Sequence, residues 1–187
     1  MKTIVVFASG SGTNAEKIIS YFAGIEQVTV SKIYTNNPNA GVINRAETLG
    51  VDTRVFNRNA FEQEVLLELK EQNPSLIVLA GFLWKIPNSY INAFPNKIIN
   101  IHPSLLPKYG GKGMYGAHVF DAISLNKEQE TGITIHYVNE HYDEGAIIFQ
   151  VKTVLVPTDT ATEVAQKTQL LEHAHFAPQI HQLLQNQ

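Results

Sequence analysis

Residues 76–80 read Leu76-Ile77-Val78-Leu79-Ala80, five apolar side chains in succession. A strand with one face in water alternates apolar and polar residues. A strand with no polar residue is covered on both faces, as the central strands of a parallel sheet are. Further strand-like segments, with some polar residues among the apolar ones, recur upstream at 3–8, 28–34 and 51–56, and downstream at 97–101. Between them lie stretches of helical spacing: 13–23, with Ile18, Ile19 and Phe22 on one face, and 41–49, stopped by Gly50. A third covers 61–71, with Phe61, Val65, Leu66 and Leu69 inward. This alternation predicts an α/β fold, a Rossmann-like doubly wound and mostly parallel sheet with right-handed crossovers. Its ligands are expected at the carboxyl ends of the strands.

The rhythm changes after residue 102. Residues 103–116 form a loop punctuated by Pro103, Pro107, Gly110, Gly111, Gly113 and Gly116, of a length usual for binding loops. A helix is expected at 117–126, followed by two strands, 131–138 and 145–156, that alternate like a hairpin and pair antiparallel in the C-terminal part. A closing helix is expected over 160–185, interrupted at Pro178. Residues 1–187 make one domain.

Composition narrows the function classes. Of 187 residues 44% are hydrophobic and 17% charged, against about 25% charged in typical domains, so a packed core is expected. A net charge of −3 gives no electrostatic footprint for nucleic acid or an anionic membrane. There are no cysteines, which removes disulfides, thiolate chemistry and Cys-ligated metals. The first apolar run ends at Ser9-Gly10, too early for a membrane span, and the expectation is a cytoplasmic protein without membrane contact.

Ser9-Gly10-Ser11-Gly12-Thr13-Asn14-Ala15 follows the first strand and opens the first helix. Glycines let the backbone approach an anion at which free helix-start amides point. The pattern satisfies the dinucleotide fingerprint, but the second strand ends Tyr34-Thr35-Asn36-Asn37, with no acid for a ribose. Gly111-Lys112-Gly113 lacks the hydroxyl of a Walker loop. Two readings stand: a single phosphate-sized anion site, or a tight turn capped by Thr13 or Asn14.

Asn100 and His102 stand two apart on an extended strand and share a face at its carboxyl end. Leu106-Pro107 is a candidate cis bond beyond them. Asp143 lies in the charged turn 140–145, and an acid–base role requires it to approach His102. Thr134 and His136 share one face of the preceding strand. His102, His136, His141 and Asp143 lack the spacing that puts metal ligands on one helix face, and His173 and His175 point to different faces. No metal is expected.

These motifs together resemble the folate-dependent formyltransferases: the 9–14 loop, Leu79-Ala80-Gly81-Phe82, residues 100–107, residues 131–136, Asp143-Glu144-Gly145 and Glu172-His173. The phosphate loop and the single-domain length narrow the resemblance to the branch acting on glycinamide ribonucleotide. The resemblance implies formyl transfer from 10-formyltetrahydrofolate to the amine of that ribonucleotide, in de novo purine biosynthesis. It implies catalytic roles for Asn100, His102 (as imidazolium) and Asp143. It gives Gly12, Thr13 and Asn14 to the substrate phosphate, and Gln169 and Glu172 to its ribose and amine ends. Leu83, Trp84, Lys85, Ile86 and Val138, with Asn100 and Asp143, line the folate slot. Residues 1–100 would be the phosphate-binding half and 101–187 the folate and catalytic half, in a monomer or weak homodimer using only small-molecule substrates. Trp84 replaces an arginine common in the family, and the loop 108–118 has its own make-up. The alternative is a formyltetrahydrofolate deformylase or another folate-dependent formyltransferase. The deformylases carry an N-terminal domain, whereas Met1 here opens directly on the first strand. A nicotinamide oxidoreductase and a non-catalytic binding protein complete the alternatives.

Overall fold

In the computed structural model, which describes residues 1–186, the chain begins β1 (Lys2–Phe7), α1 (Thr13–Phe22), β2 (Val28–Thr35), α2 (Val42–Thr48) and β3 (Thr53–Val55). It continues α3 (Arg58–Glu62), α4 (Glu64–Gln72), β4 (Leu76–Leu79), α5 (Asn88–Ala93) and β5 (Ile98–His102). The last part is α6 (Ala117–Leu125), β6 (Glu130–Tyr137), β7 (Ile147–Val154) and α7 (Ala161–Gln185). The strands form one sheet in the order β3-β2-β1-β4-β5-β6-β7. The first five are parallel, and β6 and β7 are antiparallel. This is the expected doubly wound α/β fold.

Side chains alternate across the central strands, so each feeds two cores. Ile4 and Val6 of β1, with Leu76 and Val78 of β4, pack under α1, α2 and α7. Val5, Phe7, Ile77 and Leu79 face the other way, into an aromatic layer with Tyr34, Phe56, Phe61, Phe82 and Tyr90. Phe7 stacks on Tyr34 with ring centroids 4.9 Å apart. Every residue of β4 is buried, as its composition required.

Four expectations are corrected. The helix expected over 61–71 is two helices meeting at Gln63, and the first starts earlier because Asn57 caps it, accepting from the Ala60 amide at 2.9 Å. The short α5 was not expected; it carries too few turns for a periodic signal. Helix α7 runs unbroken through Pro178, with Phe176, Ala177 and Ile180 buried on either side of it. Packing there outweighs the one backbone bond a proline removes. Strand β6 does not alternate: Thr131–His136 are all buried, because loop 103–107 covers the face opposite α7. No helix among the described residues is long and apolar enough to cross a membrane.

Candidate functional site

Chain order reverses between β1 and β4, so their carboxyl ends part and leave a crevice. A cavity of about 770 Å³ opens there. Every residue singled out for the site lines it: Gly12, Thr13, Asn14, Leu83, Trp84, Lys85, Ile86, Asn100, His102, Val138, Asp143, Gln169 and Glu172. Its lining draws on residues from before and after position 100.

The turn after β1 brings the chain into α1 through Gly12, in the left-handed region at φ 79°. No side chain caps the helix start, so neither Thr13 nor Asn14 acts as the cap. The first-turn amides are left for a ligand. Both side chains instead reach α7. Asn14 Nδ2 donates to Glu172 Oε2 at 2.9 Å, and Gln169 Nε2 donates to Thr13 Oγ1 at 3.3 Å. Burial pushes the Glu172 carboxyl above its ordinary value, opposed by the Asn14 amide. Asn14 Oδ1 is buried without a partner among the described residues, an acceptor suited to a ligand's N–H or O–H. Ser9, not singled out from sequence, pins this turn. Its hydroxyl donates to Asn36 Oδ1 at 2.7 Å and accepts from the Leu83 amide at 3.0 Å. The position where a dinucleotide site carries an acid is therefore occupied by an amide holding the loop.

The polar set also lines the cavity. Asn100 and His136 are cross-strand partners in the β5–β6 register, and Asn100 Nδ2 lies 3.1 Å from His136 Nε2. His136 Nδ1 lies 2.8 Å from the Tyr137 carbonyl, which assigns the proton to Nδ1 and makes Nε2 the acceptor. One Asn100 N–H is thus held, and the other remains for the cavity. His102 is buried, with Nε2 2.7 Å from the Tyr109 carbonyl and Nδ1 3.5 Å from Asp143 Oδ2. The approach of Asp143 to His102, which the sequence left open, is present.

The charge state differs from expectation. Burial lowers the His102 pKa below its ordinary 6.5, more than Asp143 and the Tyr109 carbonyl raise it, so at neutral pH the ring is imidazole and not imidazolium. For Asp143, burial alone would raise the carboxyl. The imidazoles of His136 and His102, which are protonated at the acid pH where Asp143 titrates, and the Gly111 N–H, which donates to Oδ2 at 2.9 Å, outweigh that and hold it below its usual range. A neutral imidazole therefore faces a carboxylate. The loop leading away is built on β6: Thr134 Oγ1 donates to the Ser104 carbonyl at 2.7 Å and accepts from the Leu106 amide at 3.0 Å. The Leu106–Pro107 bond is cis, as expected.

Apolar side chains complete the lining. Ile86 is buried, Leu83 is exposed, and Val138 packs against the same aromatic cluster as Ile86. Trp84 packs on Phe56 and Phe61 with centroids 5.9 and 5.8 Å away, and the Arg58 guanidinium covers its ring at 4.1 Å. Lys85 lies over the Tyr142 ring at 5.3 Å. Among the described residues, no cluster of three or more His, Cys, Asp or Glu is placed to hold a metal ion.

The family model for formyl transferases matches residues 2–180. The chain belongs to the formyl transferase family. Among the relatives of this formyl transferase, the phosphoribosylglycinamide formyltransferase of Bacillus subtilis is 35% identical over 98% of this chain and 95% of its own length. The chloroplastic phosphoribosylglycinamide formyltransferase of Arabidopsis thaliana is 36% identical over 92% of this chain, which spans only 62% of that protein. The crystal structure of phosphoribosylglycinamide formyltransferase from Bacillus halodurans superposes with a TM-score of 0.88, at 35% identity, covering 98% of this chain and 95% of that one. What sequence reading missed in this formyl transferase is largely backbone: the Tyr109 carbonyl and the Gly111 N–H have no residue signature. His136 was weighed only as a metal ligand, although its i, i+2 relation to Thr134 put it on the face that meets Asn100.

Proposed function

We propose that this formyl transferase moves the formyl group of 10-formyltetrahydrofolate to the amine of glycinamide ribonucleotide, giving the formylated ribonucleotide and tetrahydrofolate, as in purine biosynthesis. One observation carries the reading. One cavity is lined by the Asn100, His102 and Asp143 set, by an uncapped glycine loop and by apolar side chains. The loop suits a phosphate, and its neighbour Asn14 Oδ1 suits a donor on the same ligand. Leu83, Ile86 and Val138 suit a flat heterocycle, and the cavity is of the size that small-molecule sites have, roughly 300–1,000 Å³.

The formyl donor supplies an activated carbonyl on a nitrogen that can leave. The amine nitrogen bonds to the formyl carbon and the bond from that carbon to the folate nitrogen breaks. The proton lost by the amine ends on the folate nitrogen. Asn100, with one N–H held by His136, directs the other at the oxygen that gains charge. Asp143, a carboxylate facing unprotonated His102 Nδ1, makes a proton acceptor. The imidazolium forms only when the amine proton arrives and returns to neutral as the proton passes on. No bond to the enzyme is made.

The test is turnover with both substrates, following tetrahydrofolate release. Release is expected only when the ribonucleotide is present. Equal release without it would make the protein a deformylase.

A further inference from the structure

Residues 108–111 touch both members of the acid–base pair. The Tyr109 carbonyl accepts from His102 Nε2, and the Gly111 N–H donates to Asp143. Between them, a Cβ on Gly110 would lie 2.5 Å from Leu106 Cδ2 and 3.4 Å from Asp143 Cβ, so a side chain there would have to displace the end of Leu106. Tyr109 itself is left-handed at φ 56°, a conformation that costs a side-chain-bearing residue free energy and persists where its surroundings impose it. Those surroundings lie outside the cavity, in the turn between α6 and β6. The phenol donates to Glu128 Oε1 at 2.8 Å and accepts from Asn126 Nδ2 at 2.9 Å. Lys108 Nζ lies 3.1 and 3.2 Å from the two Glu128 oxygens. The ring also packs beside Val119 and Ile123.

We propose that Tyr109 and Glu128 are positioning residues for His102. Glu128 and Asn126 hold the phenol, the held tyrosine places its carbonyl, and the carbonyl keeps the imidazole proton on Nε2. Nδ1 is then the unprotonated nitrogen presented to Asp143. Neither Glu128 nor the Tyr109 phenol need touch substrate. The charged and titratable groups facing His102 are Asp143 and His136; those facing the phenol are Glu128 and Lys108. The kinetic part of this inference rests on the proposed function, and the tautomer part does not.

The experiment compares Tyr109→Phe, Glu128→Ala and Glu128→Gln in protein labelled with ¹⁵N at the histidine rings, the His102 signal being assigned by its loss in His102→Gln. The wild type is expected to show the Nε2–H tautomer, the first two variants a mixture, and Glu128→Gln, which still offers the phenol an acceptor, the wild-type pattern. In turnover, the first two are expected to lose about tenfold in kcat with both KM values within about twofold, as for a misplaced but present group. Their acid limb should move to lower pH, because the Tyr109 carbonyl favours the charged ring. Glu128→Gln should keep kcat within about twofold of wild type. Should Tyr109→Phe lose stability, the Glu128 pair carries the comparison. An unaltered His102 tautomer in Glu128→Ala, equal damage by Gln and Ala, or a rise in kcat would overturn the proposal. A changed tautomer in an enzyme that turns over neither proposed substrate would sustain the positioning role and sink the proposed function.

Discussion

Asp143 presents its carboxylate from a left-handed backbone at φ 57°, with His102 on one oxygen and His136 3.7 Å from the other. If the pair accepts the amine proton, Asp143→Asn should lower kcat by about two orders of magnitude or more while leaving KM for the ribonucleotide near wild type. Near-normal turnover in that variant removes Asp143 from the proton path. The same pair shapes stability. His102 has a folded pKa below its unfolded value, so its contribution is whole above about 6.5 and is lost as pH falls through the lowered folded value. His173, also lowered by burial, acts in the same window, and Asp143 adds a loss below about 3.9. Glu172, raised by burial, acts in the opposite sense near its own titration. Urea midpoints should therefore fall from pH 7 to 5, and less steeply in His102→Gln; parallel profiles would contradict the buried neutral imidazole. Asn100 and His102 were legible in the sequence because strand geometry puts i and i+2 on one face. Their neighbours were not: His136 arrives by cross-strand register, Asp143 by the fold of a distant turn, and Tyr109 by a carbonyl.

The turn from β1 into α1 depends on one backbone state. Gly12 stands at φ 79°, and a Cβ there would lie 2.5 Å from Val42 Cβ and 2.6 Å from its Cα. Val42 opens α2, so the clash can be relieved only by moving an element. Gly12→Ala should cost more than about 1 kcal/mol in urea unfolding, since alanine meets both a positive φ and a filled space. It should also raise KM for the ribonucleotide more than KM for the folate. Equal rises would argue against a phosphate at this loop. Alternation of strand and helix was readable at this scale because buried parallel strands carry no polar residue. Breaks were not: the joint at Gln63 has neither glycine nor proline, and Pro178 sits in a helix that its flanks hold together.

Across the whole molecule the sheet separates two cores, and only one end of the sheet opens on the cavity. Leu69 of α4 is fully buried in the aromatic layer and does not line the site. Leu69→Ala should cost about 2–5 kcal/mol, read as a lower urea midpoint at unchanged m, with KM values intact where the variant stays folded. A KM change would show that the layer beneath Phe82 and Trp84 transmits strain to the slot. The hydrogen bond from Asn14 to Glu172 ties positions 158 apart, and Lys2 likewise reaches the Leu184 carbonyl. On a ribosome adding about 5–20 residues per second, roughly 8–30 s pass between the synthesis of the first of these partners and the second. The nascent protein thus makes its glycine loop well before the helix that closes over it. Until that helix follows, the ligand site lacks Gln169 and Glu172.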